Sequence, residues 1–162
     1  IMQTKVSFET NDVALTAIIA CDDVLLNSVP ASAIRARANN NYPYSVTINK
    51  EALLGAIGRL LLFTNDKKIR AYGEFEFNSE SVVIRDIKKD NSETIKYDNV
   101  TNIYDGNSYK LFLDLMDFQV TLESCIEDDI NLSFGDGKAV VLTRKNIKNI
   151  IPEMRAVETN GK

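Results

Sequence analysis

Between residues 46 and 152 the apolar and polar positions spell one short pattern twice: a strand, a helix, then three strands. The first copy opens at Val46-Thr47-Ile48 and continues into a helix over Glu51 to Phe63. Along that helix Leu53, Leu54, Ile57, Leu60 and Leu61 fall within a stripe about 120° wide at 100° per residue. Asn49 is placed to cap it, and Glu51 sits in the first turn, where the helix dipole favours a carboxylate. Three strands are predicted next, at Ile69 to Phe75, Val82 to Ile87 and Glu93 to Val100, with polar turns at Asn78-Ser79-Glu80 and Lys88 to Ser92. The second copy opens at Tyr109 to Leu113 and caps its helix with Asp114. Leu115, Phe118, Leu122, Cys125 and Ile126 are assigned to the core stripe of that helix, Leu115 to Cys125. Strands at 129–134, 138–143 and 147–151 close it, with Gly135-Asp136-Gly137 as a hairpin turn.

Two positions do not fit a simple amphipathic reading of the first helix. Gly55 and Gly58 lie off the core stripe, each costing about 1 kcal/mol of helix propensity. Close approach of another backbone or of nucleic acid would explain them, and so would drift. Leu62 also lies opposite the stripe with Phe63 beside it, as a loop anchor or an interface patch would.

Residues 1–45 read differently. Lys5 to Phe8 and Val13 to Ala20 are predicted strands turned by Thr10-Asn11-Asp12, and Val24-Leu25-Leu26 is a further apolar run. Arg35 and Arg37 are read as an exposed strand entering an Asn-rich linker that ends at Tyr42-Pro43. The domain division expected is 1–43 as the last strands of a preceding domain plus linker, 44–157 as one complete domain, and 158–162 as a tail. Ile1 precedes Met2, so either Ile1 is an added residue or the sequence is a piece of something longer.

Composition narrows the chemistry more than it suggests any. The 162 residues carry a net charge of −4, which argues against whole-surface phosphate binding. There is no histidine, which removes Ser-His-Asp triads and most zinc sites. Two distant cysteines, Cys21 and Cys125, make no disulfide framework and suit a reduced, cytoplasmic protein. No stretch reaches the roughly 20 apolar residues of a membrane span. Glu127, Asp128 and Asp129 with Asp136 could be imagined as a metal site, but consecutive carboxylates leaving a helix do not converge on one ion. Gly135-Asp136-Gly137-Lys138 lacks the Walker spacing and is followed by a strand. Lys67, Lys68, Arg70, Arg85, Lys88, Lys89 and Lys96 are solvated strand and turn positions, or at most a modest phosphate-facing stripe. No catalytic residues, metal or cofactor are assigned.

The segment from Tyr42 to Arg155 resembles the third domain of the bacterial-type DNA sliding clamp, the DNA polymerase III beta subunit. The stretches that carry the likeness are EALLGAIGRLLLFTNDK (51–67), INLSFGD (130–136), AVVL (139–142) and IIPEMR (150–155). The last is similar to the family's Met-Pro-Met-Arg tail with one residue, Glu153, inserted. The resemblance implies an α+β DNA-clamp fold of tandem βαβββ units, with two helices packed on antiparallel sheets. It also implies a non-enzymatic processivity factor that self-associates into a ring around duplex DNA, whatever its sequence, and binds polymerase and clamp loader. Partner peptides would take a pocket between middle and last domains at Pro43, Val46, Ile150, Ile151, Pro152 and Met154. Leu62 and Phe63 would meet the next subunit. Lys50, Gly55, Gly58, Arg59, Lys67, Lys68 and Thr121 would face DNA.

Against that stand an interaction module or decoy that never encircles DNA and an enzyme built on the carboxylate cluster. The outward face of the second helix, with Asp117, Val120, Thr121 and Ser124 and no Lys or Arg, favours the module.

Overall fold

The structure, a computed structural model, describes residues 4–9, 14–19, 31–63, 71–97, 99–103, 106–144 and 147–154. The chain forms two compact units, Ile1–Arg35 and Ala36–Lys162. In the first, β1 (Thr4–Glu9) and β2 (Ala14–Ile19) pair antiparallel, with Thr4 opposite Ile19 and Glu9 opposite Ala14. The expected turn and the apolar run at 24–26 lie outside the described residues. Where the sequence reading put an exposed strand at Arg35 and Arg37, the chain is helical: α1 spans Ala31–Ala38. Its Ala-Arg repeat has strong intrinsic helix propensity but no apolar stripe, so a search for periodicity passes over it.

The second unit contains β3 (Tyr44–Asn49), α2 (Lys50–Phe63), β4 (Tyr72–Phe77), β5 (Ser81–Asp86), β6 (Ser92–Lys96) and β7 (Asn99–Thr101). The second repeat follows as β8 (Tyr109–Asp114), α3 (Leu115–Glu123), β9 (Asp129–Phe134), β10 (Ala139–Arg144) and β11 (Ile147–Pro152). Two antiparallel sheets result, in the orders β11-β10-β9-β3-β7 and β6-β5-β4-β8. The repeats are therefore interlocked. The opening strand of each leaves its own unit and pairs with the second strand of the other, β3 with β9 and β8 with β4. The predicted strand from Glu93 to Val100 is in fact two, because after Lys96 the chain crosses from one sheet to the other.

The repeat extends to individual bonds. Asn49 Oδ1 accepts from Ala52 N at 3.0 Å, and Asp114 Oδ1 accepts from Met116 N at 3.0 Å and Asp117 N at 3.2 Å, so both predicted caps hold. One residue on, Lys50 N donates to the Asp128 carbonyl and Leu115 N to the Ala71 carbonyl, each at 2.7 Å. Leu53, Ile57 and Leu60 on α2 are matched by Phe118, Leu122 and Cys125 around α3, and all six are buried. Ala56 joins this core, while Leu54 and Leu61 pack at its margin. Ile126 does not belong to it. The helix stops at Glu123 with Ser124 as C-cap, and Ile126 stands 82% exposed.

Between the sheets the leading and second strands of both repeats bring four rings together. Phe134 lies 4.4 Å from Phe77, 5.3 Å from Tyr109 and 5.9 Å from Tyr44, centroid to centroid. Gly73 lets β4 meet the start of α3, since a Cβ there would lie 2.6 Å from Leu115 Cδ2. No helix among the described residues is long and apolar enough to cross a membrane.

Candidate functional site

Strand alternation divides the predicted pocket residues between two faces. On β11, Ile151 is opposite Val140 and faces the core at 4% exposure, and on β3 Val46, opposite Leu132, faces it at 1%. Ile150 and Pro152 point to the other face, opposite Val141 and Ala139, with Lys148 opposite Thr143. Ile150 is half-buried and Pro152 exposed. Pro43 is exposed at the end of the linker, where its carbonyl accepts from Asn102 Nδ2 at 2.6 Å. Gly135 packs beneath it. With φ at +120°, and a Cβ that would come 2.6 Å from Pro43 Cγ, that position suits glycine alone. Met154 is half-buried, and its N–H donates to the Phe112 carbonyl at 2.8 Å, which carries the chain from β11 to the edge of β8.

Polar groups frame this face. Asp136, in the β9–β10 turn, accepts from Lys138 N and Ala139 N through Oδ1. Its Oδ2 takes Arg37 Nη1 at 2.6 Å and Asn40 Nδ2 at 3.4 Å. Burial works against ionisation of this carboxylate, but the two amides and Arg37 outweigh it and hold Asp136 below the ordinary aspartate range. The neighbouring Glu153 has the opposite fate. Burial, reinforced by the charge of Asp136, pushes its carboxyl up, and its Oε2 is buried with no hydrogen-bond partner. A carboxyl raised in the folded state favours folding below its unfolded pKa of about 4.3 and loses that contribution as pH rises through the folded value. Glu153→Gln is therefore expected to melt higher than wild type at pH 7 and with no advantage from this source at pH 4. Melting curves at the two pH values check it.

The helix face expected to meet DNA offers little free positive charge among the described residues. Arg59 holds Glu93 with two bonds of 2.8 Å, from Nε and Nη2. Lys50 donates Nζ to the Cys125 carbonyl at 3.2 Å and lies 3.8 Å from Glu51. The two glycines flank the arginine: a Cβ at Gly55 would come 3.3 Å from Arg59 Nη1, and at Gly58 the space is open. Thr121 turns its hydroxyl onto the Asp117 carbonyl. On α3, Met116 and Val120 are exposed, and Lys67 and Lys68 fall outside the described residues. Elsewhere, Arg85, Lys89 and Lys110 surround Glu74 and Glu76 on the four-stranded sheet, so these cations neutralise carboxylates. Among the described residues no three His, Cys, Asp or Glu side chains converge as a metal site would require. Leu62 and Phe63 stand 70% and 62% exposed at the end of α2. The roles of Glu93 and Asp136 had no signal in the sequence, since both depend on partners distant along the chain.

No protein-family model matches the chain, and neither does any curated protein. Solved structures do match. The DNA polymerase III subunit beta of Pseudomonas aeruginosa aligns with TM-score 0.68 and 9% identity over 93% of this chain and 40% of its own. The DNA polymerase sliding clamp of Bacillus subtilis gives 0.65 and 16% over 96% and 40%. The DNA polymerase III subunit beta of Borrelia burgdorferi gives 0.64 and 16% over 93% and 38%. Two interlocked βαβββ repeats, and structures that agree with them over nearly the whole chain, give this protein the fold of the bacterial DNA polymerase sliding clamp, over about 40% of such a clamp's length.

Proposed function

We propose that this chain is the C-terminal portion of a DNA polymerase processivity clamp, a non-enzymatic protein that works by tethering. The observation that carries the reading is the interlocked pair of repeats, shared with solved sliding clamps in spite of identities of 9–16%. In the assembled ring, Leu62 and Phe63 meet the next subunit, which accounts for two large apolar side chains in water at a helix end. Polymerase and loader peptides dock on the β10–β11 face at Ile150 and Pro152, beside Pro43 and Met154, with Val46 and Ile151 as the buried support. Helices α2 and α3 face the duplex, together with Lys50, Gly55, Arg59, Lys67 and Lys68.

The test is fluorescence polarisation with a labelled Gln-x-x-Leu-Phe peptide against wild type and Ile150→Asp. Micromolar binding, weakened at least about tenfold by the substitution, is the expected result; a tenfold loss corresponds to about 1.4 kcal/mol. Equal binding by both proteins, or none by wild type, would sink the pocket assignment.

A second reading, a clamp-shaped interaction module that does not encircle DNA, is favoured by one observation. Arg59 is committed to Glu93, and α3 carries no cation. Retention of the full-length protein on circular but not linear duplex would exclude it.

A further inference from the structure

Residues 36–43, the end of α1 and the Asn-rich stretch after it, are pinned to the strands of the second unit at separate points. Arg37 Nη1 reaches Asp136 Oδ2 at 2.6 Å, and that carboxylate side chain is only 12% exposed. Lys148 Nζ donates to the Ala38 carbonyl at 2.6 Å. Tyr42 closes the segment on itself by donating its hydroxyl to the Arg37 carbonyl at 3.0 Å, and Asn102 holds the Pro43 carbonyl.

The positions of these anchors matter more than their number. Lys148 lies opposite Thr143, towards one end of the β10–β11 ladder, and Asp136 belongs to the turn that precedes Ala139 at the other. From Lys148 to Pro152 is about 13 Å at about 3.3 Å per residue. The last two residues of α1, Arg37 and Ala38, meet both ends, so this stretch runs along the strip between them and leaves Pro152 exposed. Alternation puts Ile150 and Pro152 on that same face as Lys148. Ala139 and Val141, also on it, are 3% and 2% exposed, as residues of a covered face are.

We infer that residues 36–43 are a latch that occupies the β10–β11 face in cis, so that an incoming partner peptide must displace them, with Arg37–Asp136 and Lys148–Ala38 as its two catches. The inference rests on the assignment of partner peptides to this face. When Arg37 leaves, Asp136 is freed, and a peptide with a basic residue beside its apolar anchors fits the opened site better than an acidic one.

The experiment uses the whole 162-residue chain, with Arg37→Gln and Lys148→Met each releasing one catch from opposite ends. The readouts are polarisation of the Gln-x-x-Leu-Phe peptide and hydrogen exchange of the amides of 36–43. Apparent affinity equals intrinsic affinity reduced by the fraction of molecules already open, so each variant is expected to bind about three- to tenfold tighter than wild type. Exchange in 36–43 should speed up in both variants, and in wild type when peptide is added. Unchanged or weaker binding in both variants, or slower exchange in 36–43 on adding peptide, overturns the latch while leaving the pocket in place. No binding by any of the three proteins, with 36–43 visibly loosened, overturns the pocket assignment and the competition with it.

Discussion

Phe134→Ala is expected to cost about 3–5 kcal/mol, a large part of the 5–15 kcal/mol that holds a typical domain together. The cost follows from the interlock. Because β3 pairs with β9 and β8 with β4, neither repeat has a complete sheet without the other. Phe134 ends β9, is fully buried, and touches rings from β3, β4 and β8. Truncation removes its transfer free energy and leaves a cavity. It also loses aromatic pairings worth about 0.5–1.5 kcal/mol each beyond area burial. Urea unfolding followed by far-UV circular dichroism should show a lower midpoint at unchanged slope, as a change in stability requires. Val120→Ala, on the exposed face of α3, should fall within about 0.5 kcal/mol of wild type. A loss under 1 kcal/mol for Phe134→Ala would mean that the ring cluster does not bind the repeats together.

Most of the two repeats was legible in the sequence, because strand alternation and helix stripes are local signals repeated twice. Both caps, both helices and the last three strands lie within a residue or two of the periodic reading. The strand exchange was not legible. Nothing in Tyr44–Asn49 says whether it pairs within its own repeat or with the other, since both sheets offer an apolar inner face. The crossing after Lys96 was not legible for a similar reason: Ile95, Tyr97 and Val100 lie close enough to read as one strand, although the alternation breaks at Asn99 and the partner strand changes. α1 was missed because Ala and Arg form helices by propensity without any stripe to read.

At the candidate site the limits are sharper. The sequence singles out Arg59 as a channel cation, but the charge of a long side chain is settled by what it reaches, and here that is Glu93. Clamp-like peptide binding and a clamp-like hole are thus separable properties of one fold. The proposed peptide face is the strip of β11 that carries Ile150 and Pro152, whereas the helix face, among its described residues, shows little of the counter-charge that phosphate contact uses.

Two substitutions one residue apart on β11 should therefore behave as opposites. Ile151→Asp places a carboxylate among Val140 and the α3 side of the core, where Ile151 is 4% exposed. The apolar burial is lost, and an ionised group is left without a partner, for a total on the order of 4 kcal/mol or more. The charge component has a definite sign with pH. A buried carboxyl titrates above the unfolded value of about 3.9, so its penalty is absent below that pH and grows as pH rises through the folded value. Ile151→Asp should accordingly be most destabilised near neutrality and recover part of the loss at pH 4, the apolar part staying lost. Ile150→Asp sits on the outer face, where the side chain is only half-buried, and should cost about 1–2 kcal/mol while weakening peptide binding at least about tenfold. Thermal melts at pH 4 and pH 7, paired with the polarisation titration, separate the two. Equal destabilisation would show that β11 is not split between core and docking face, and the peptide site would have to be sought elsewhere on the domain.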